Sequence, residues 1–183
     1  MSHFRPDQAV VRYFTMSELA CKCGRPDCRH KTLDDIADAR SMSFFHSLSD
    51  LRHELGVPIT VHSGMRCPVH NAEIGGAPDS AHIYDVAADV SSRGCMWYDI
   101  ANLAEAQACY SGIIVYPAQG FVHLDQHPTA HVRRGYDLGK RDRHIISWGD
   151  YGSSVLVVNE EWNLDYEIPK PRYIIEADIR MRP

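Results

Sequence analysis

Residues 112–126 read Gly112-Ile113-Ile114-Val115-Tyr116, then Pro117-Ala118-Gln119-Gly120, then Phe121-Val122-His123-Leu124-Asp125-Gln126. Two runs rich in β-branched and aromatic residues flank a short turn containing Pro and Gly, which is the composition of a β-hairpin. Side chains alternate along a strand, so His123 and Asp125 share one face while Val122 and Leu124 share the other. One face thus offers groups that bind metals or protons, and the other belongs to a hydrophobic core.

Outward from the hairpin, Val86–Val90 reads as another strand, Met96–Tyr110 as a helix, and the β-branched run Val57–His62 as a third strand piece. Thr32 is an N-cap type, and Ile36, Ala37, Phe44, Leu48, Leu51 and Leu55 recur mostly at three- and four-residue steps, so 33–55 is expected to form the main amphipathic helix, with Gly56 ending it. Thr15 followed by Glu18 has the form of a capping box for a short helix. The run from Ser63 to Asp79 reads as a long loop, of the kind that usually serves function. The expected fold class is α+β: a small antiparallel sheet with helices packed on it. The pattern changes late in the chain, dividing it into a domain over 1–141 and an extension over 142–183 with Trp148, Tyr151, Trp162, Tyr166 and Tyr173. These aromatics read as the apolar side of a packed extension.

Composition narrows the function classes. The chain has 183 residues, 44% hydrophobic and 23% charged, with a formal net charge of -5 and no concentrated Lys/Arg stripe. That excludes an electrostatic footprint for nucleic acid or an anionic membrane. No stretch reaches the roughly 20 apolar residues of a membrane span. The N-terminus lacks a secretory pattern, so the expectation is synthesis in the cytosol, with any journey out of it needing help from outside this sequence. Six cysteines without an export signal point to thiols or metal ligands before disulfides.

Two segments bring metal ligands together. They are Ser80-Ala81-His82-Ile83-Tyr84-Asp85-Val86-Ala87-Ala88-Asp89 and Gly120-Phe121-Val122-His123-Leu124-Asp125. A catalytic zinc takes three protein ligands from His and carboxylate and keeps a fourth position for water. His82, Asp89 and His123 supply such a set, although eleven histidines make the spacing alone a weak guide.

The order of residues is more telling. Ser-x-His-x(6)-Asp followed by Phe-Val-His-x-Asp resembles the zinc D-alanyl-D-alanine peptidase family, the M15 group, in particular its small branch of phage lysis enzymes and wall-editing proteins. Phe14-Thr15-Met16-Ser17-Glu18-Leu19 resembles that branch's opening, Ser63-Gly64-Met65-Arg66-Cys67-Pro68 its arginine loop, and Asn71-Ala72-Glu73-Ile74-Gly75-Gly76-Ala77 its glycine turn, so the likeness covers about 14–127. It implies a hedgehog/D-Ala-D-Ala-peptidase-like fold. It also implies zinc held by His82, Asp89 and His123, Arg66 pairing with a substrate carboxylate, and Ser80 hydrogen-bonding the bound peptide. The implied activity is hydrolysis of an amide bond in peptidoglycan stem peptides by a D,D-carboxypeptidase or endopeptidase. Rival readings are a non-catalytic metal-binding module of a phage particle and a cytosolic D-alanyl-D-alanine dipeptidase.

Two positions depart from the family pattern. Asp85 stands where the family usually has glycine; Asp tolerates a left-handed backbone better than most residues, and its carboxylate could compete for metal. Gly120 stands where better-known members carry a glutamate. Asp125 is therefore the first candidate for the catalytic base or for orienting a ligand, with Asp85 and Asp79 behind it. Separately, Cys21, Cys23 and Cys28, with His30 and with Cys67 brought close by its loop, offer ligands for a structural zinc, against the alternative of free thiols. Cys95 and Cys109 are expected to be buried apolar residues.

Overall fold

The computed structural model describes residues 6–34, 38–117 and 119–127, and the backbone of short strands at 133–136, 146–147, 155–156 and 167–168. A two-stranded ribbon, β1 (Ala9–Val11) and β2 (Phe14–Thr15), leads into a single helical turn, α1 (Met16–Leu19). The capping box is present: Glu18 Oε2 accepts from the Thr15 backbone N–H at 2.8 Å and from its hydroxyl at 2.9 Å.

The main helix, α2, spans Ala39–Leu55 and starts later than expected. Its N-cap is Asp38 rather than Thr32; Asp38 Oδ1 accepts from the Arg40 and Ser41 amides at 2.9 and 3.0 Å. Residues 31–34 are turns and bends, so the apolar spacing carried the expected helix one capping residue too far upstream. Ile36 and Ala37 lie outside the described residues. Gly56 ends the helix in the left-handed conformation, φ 67°.

The strand expected at Val57–His62 is β3 (Thr60–Ser63), because Pro58 has no N–H to give a ladder. The expected long loop contains a helix, α3 (Pro68–Glu73), with Pro68 at its first turn and the Cys67 sulfur as its cap. Then follow β4 (Ala87–Ser91), α4 (Trp97–Gln107), β5 (Gly112–Tyr116) and β6 (Phe121–Asp125). The turn closes through the Gly120 N–H donating to Tyr116 O at 2.8 Å.

The main sheet has the order β3-β4-β6-β5-β7-β8, with β7 at Arg133–Tyr136 and β8 at Ile146–Ser147. It is antiparallel except between β5 and β7. Phe44, Phe45, Leu48 and Leu51 of α2 and Ile100, Ala101 and Ala104 of α4 pack with Val90, Ile113, Val115, Val122 and Leu124 of the sheet in one buried core. Each large aliphatic side chain in that core gains roughly 1.5–3 kcal/mol from leaving water. Val122 and Leu124 are fully buried there, so alternation turns His123 and Asp125 to the opposite face. The architecture is α+β, as the sequence pattern implied. Among the described residues no helix is long and apolar enough to cross a membrane. The late aromatics Trp148, Tyr151, Trp162, Tyr166 and Tyr173 lie outside the described residues.

Candidate functional site

Strand register assembles the site. β4 and β6 pair with Asp89 opposite His123 and Ala87 opposite Asp125, and β5 sets Gly112 opposite Asp125. Side chains directly opposite one another stand about 4.5–5.5 Å apart at Cβ, so Asp89 and His123 meet without help from any loop: His123 Nδ1 lies 2.9 Å from Asp89 Oδ1. His82 comes from elsewhere. It sits in the tight turns of 80–86, where the Ile83 and Tyr84 amides donate to Ser80 O and Ala81 O. Its Nε2 lies 3.4 Å from Asp89 Oδ2, and its ring centroid is 5.0 Å from that of His123.

The two rings are fixed by different partners. His82 Nδ1 is 2.6 Å from Gly64 O, and a carbonyl only accepts, so the proton is on Nδ1 and the Nε2 lone pair faces Asp89. His123 is held through its other nitrogen: Nε2 donates to Asp125 Oδ2 at 3.0 Å, which turns Nδ1 toward Asp89. Asp125 is itself completely buried, and its Oδ1 accepts from the His127 amide at 2.9 Å. The space for this carboxylate exists because residue 112 is glycine; a Cβ there would lie 2.0 Å from Asp125 Oδ2.

His82, Asp89 and His123 fit a metal. Their ligand atoms all lie within 4.8 Å of one another. A tetrahedral ion with bonds of about 2.0–2.1 Å spans ligand–ligand edges of about 3.3 Å, close to the observed 3.4 Å between His82 Nε2 and Asp89 Oδ2. Two imidazoles and one carboxylate, each imidazole steered by a group behind it, are also the donor chemistry that zinc takes at catalytic sites.

Protonation follows from the packing. Burial alone would raise Asp89, but hydrogen bonds from His123 and His82 outweigh it and hold the carboxyl far below its ordinary range. Burial likewise opposes charge on His123, yet Asp125 and Asp89 together push its pKa up to about 9. Burial dominates at His82 and lowers it, only partly offset by Asp89. At neutral pH the metal-free site therefore holds an ionised Asp89, a charged His123 and a neutral His82.

Arg66 lies beside this cluster and is nearly buried, at 8% exposure, so it is no mobile surface residue. Its Nη2 donates to Ser63 Oγ at 2.7 Å and to Asp89 Oδ2 at 3.3 Å, and its Nη1 donates to Asn71 Oδ1 at 3.2 Å. Ser63 and Asn71 were not singled out from sequence. Asn71 is 2% exposed, and its Nδ2 donates to Ala77 O at 2.8 Å, which ties the arginine to the glycine turn. An amide residue four positions before a Gly-Gly turn was no distinctive signal by itself. Ser80 is half-buried in the turn just ahead of His82.

Asp85 has φ 57°, a left-handed conformation of the kind that Asp tolerates better than most residues. Its carboxylate pairs with His30 Nδ1 at 2.8 Å and does not join the His82–Asp89–His123 group. His30 therefore faces Asp85 and not the thiols. Cys21, Cys23 and Cys28 do converge, and Cys67 joins them with all four sulfurs within 4.8 Å of one another. Cys109 is exposed and Cys95 half-buried against the core, which corrects the expectation that both are buried; Cys109 follows the left-handed Ala108 that ends α4 and is carried outward there.

Comparison with known proteins agrees with this geometry. The family described as Peptidase M15 matches residues 12–125, which contain every residue of the cluster. A curated relative, the zinc D-Ala-D-Ala carboxypeptidase of Streptomyces albus G, is 35% identical over 87 residues, 47% of this chain and 34% of the relative. The chain thus spans about a third of the length of that relative. With the match running unbroken from the strand ribbon through the His123 hairpin, the chain belongs to the peptidase M15 family.

Proposed function

We propose that this chain is a zinc-dependent peptidase that hydrolyses an amide bond in peptidoglycan stem peptides, as a D,D-carboxypeptidase or an endopeptidase in wall lysis or wall editing. The observation that carries the reading is the opposed fixing of the two rings: His82 Nδ1 donates to Gly64 O and His123 Nε2 donates to Asp125, so the other nitrogen of each ring faces Asp89, that of His82 as a lone pair and that of His123 carrying a proton that zinc would displace. A structural histidine pair has no need of that arrangement. Bound there, zinc supplies Lewis acidity toward a scissile carbonyl and acidifies a water toward neutral pH.

The chain's own residues supply the rest. His82, Asp89 and His123 hold the ion, and Asp125 keeps the His123 proton on Nε2. Asp125 acts as a positioning residue, because a wholly buried carboxylate with both oxygens engaged is poorly placed to exchange protons with a substrate. Arg66 brings a fixed positive charge to the edge of the site, where the carboxylate of a stem peptide would dock, and Ser80 is the neighbouring hydroxyl for the peptide backbone. The name of the Streptomyces albus G relative supports the substrate class.

The test combines metal analysis with digestion of purified peptidoglycan and mass identification of the products. The expected result is release or trimming of stem peptides that stops on chelation and returns with zinc. Arg66→Lys is expected to keep the metal and raise KM for stem peptides roughly tenfold, the scale of losing one charge-assisted hydrogen bond. Zinc-loaded protein that cleaves neither wall, stem peptides nor D-alanyl-D-alanine would overturn the proposal in favour of a non-catalytic metal-binding module. Cleavage of the free dipeptide alone would make it a dipeptidase.

A further inference from the structure

We infer that Cys21, Cys23, Cys28 and Cys67 hold a second zinc ion, a structural one, that fastens the N-terminal segment to the loop carrying Arg66. The inference goes beyond the peptidase reading and rests on the sulfur cluster alone.

The four sulfurs lie within 4.8 Å of one another, and Cys23 Sγ and Cys67 Sγ are 4.0 Å apart. Zinc–sulfur bonds of about 2.3 Å in a tetrahedron place sulfurs about 3.8 Å apart, whereas a disulfide needs about 2.05 Å. The four cysteines are free of disulfides and form a small buried cluster of their own, apart from the main core.

Each sulfur also receives a backbone N–H. The Cys67 amide donates to Cys21 Sγ at 3.4 Å, and the His70 amide to Cys67 Sγ at 3.4 Å. The Arg25 amide serves Cys23, and the His30 amide serves Cys28. Four sulfurs that each accept a backbone N–H are placed as the ligands of a metal–sulfur site are, with the amide dipoles facing the sulfur.

The segment has little else to fold around. Between Cys21 and Thr32 the chain reads Cys-Lys-Cys-Gly-Arg-Pro-Asp-Cys-Arg-His-Lys-Thr, with no Leu, Ile, Val, Met, Phe, Tyr or Trp to bury. Yet it closes into a defined loop, with the Cys21 N–H donating to His30 O at 2.9 Å and Lys31 Nζ donating to the carbonyls of Cys23 and Arg25 at 2.7 and 2.9 Å. A loop this short and polar needs a staple other than apolar burial. Arg25 paired with Glu73 adds a second tie to α3.

Sequence separation makes the staple consequential. Cys67 lies 46 residues from Cys21 and directly follows Arg66. Its sulfur caps α3, and α3 carries Asn71, which holds Arg66. The ion would therefore fix the arginine loop from behind without touching the His82–Asp89–His123 cluster.

The experiment uses the full chain. Wild-type protein is expected to contain two zinc ions, and the double variant His82→Ala/His123→Ala one. In that variant a thiol reagent should modify two cysteines readily, Cys95 and Cys109, while stepwise organomercurial titration of the remaining four releases one zinc. Cobalt-exchanged protein should show a sulfur-to-cobalt charge-transfer band that persists in this variant and disappears in Cys67→Ser. The mercurial titration needs no cysteine variant, so misfolding of Cys67→Ser leaves the inference open to refutation. Six thiols reacting natively with no metal released would overturn it, as would a disulfide among the four or iron in place of zinc.

Discussion

Replacing Asp125 with Asn separates the two roles a carboxylate beside His123 can have. The residue is fully buried, with Oδ2 at 3.0 Å from His123 Nε2 and Oδ1 at 2.9 Å from the His127 amide. Asn keeps the shape but has one acceptor oxygen and one NH2. If the oxygen stays on the His127 amide, the NH2 faces Nε2, and His123 must then carry its proton on Nδ1, the nitrogen needed for the metal. Losing such a partner costs about 10- to 100-fold in metal affinity, or about 1.4 to 2.8 kcal/mol at 1.4 kcal/mol per factor of ten. The assay is zinc affinity by competition against a chromophoric chelator, followed by turnover at saturating zinc. The expected outcome is weakened binding with turnover mostly restored by excess zinc. Unchanged affinity with turnover lower by roughly 10² or more, the scale of removing a general base, would refute the positioning role.

Other expectations follow from the same geometry. Zinc must displace the proton that His123 holds up to a pKa of about 9, so apparent zinc affinity at this site, measured in a Cys28→Ser background, should rise about tenfold per pH unit below that value. In the metal-free protein the raised His123 stabilises the fold fully below its unfolded value of about 6.5 and loses that contribution as pH rises toward 9; urea titrations at pH 6.5 and 9 measure the difference, and it should shrink in Asp125→Asn. Asp38→Ala should cost about 1 kcal/mol through the lost N-cap, while Thr32→Ala should not shorten α2, as amide exchange at Arg40 and Ser41 will report. Asp85→Gly exchanges relief of a left-handed φ, worth about 1 kcal/mol, against the partner of His30; stability should change little and zinc affinity not at all, and a rise in affinity would mean that the Asp85 carboxylate does compete for metal.

The hairpin, its polar and apolar faces, and the α+β class were legible in the residues alone, because strand alternation and turn composition are local properties read over a few residues. Val122 and Leu124 had to face a core, and His123 and Asp125 had to face away from it. The order of motifs carried the family and the identity of the three clustered residues. Local pattern failed where one capping residue competed with another, as with Thr32 and Asp38, and where a helix hid inside an apparent loop at Pro68–Glu73. Which groups hold the site residues in place was visible only once the chain was folded. Gly64 O on His82, Ser63 and Asn71 on Arg66, His30 on Asp85, and Cys67 among the other three sulfurs are all contacts between segments distant in the chain or across a turn. The bare Gly112 that makes room for Asp125 is of the same kind, since cross-strand register sets it there. Residue type marks a candidate ligand, but its tautomer, its burial and the charge beside it depend on neighbours that strand register, tight turns and long-range pairing together bring to it.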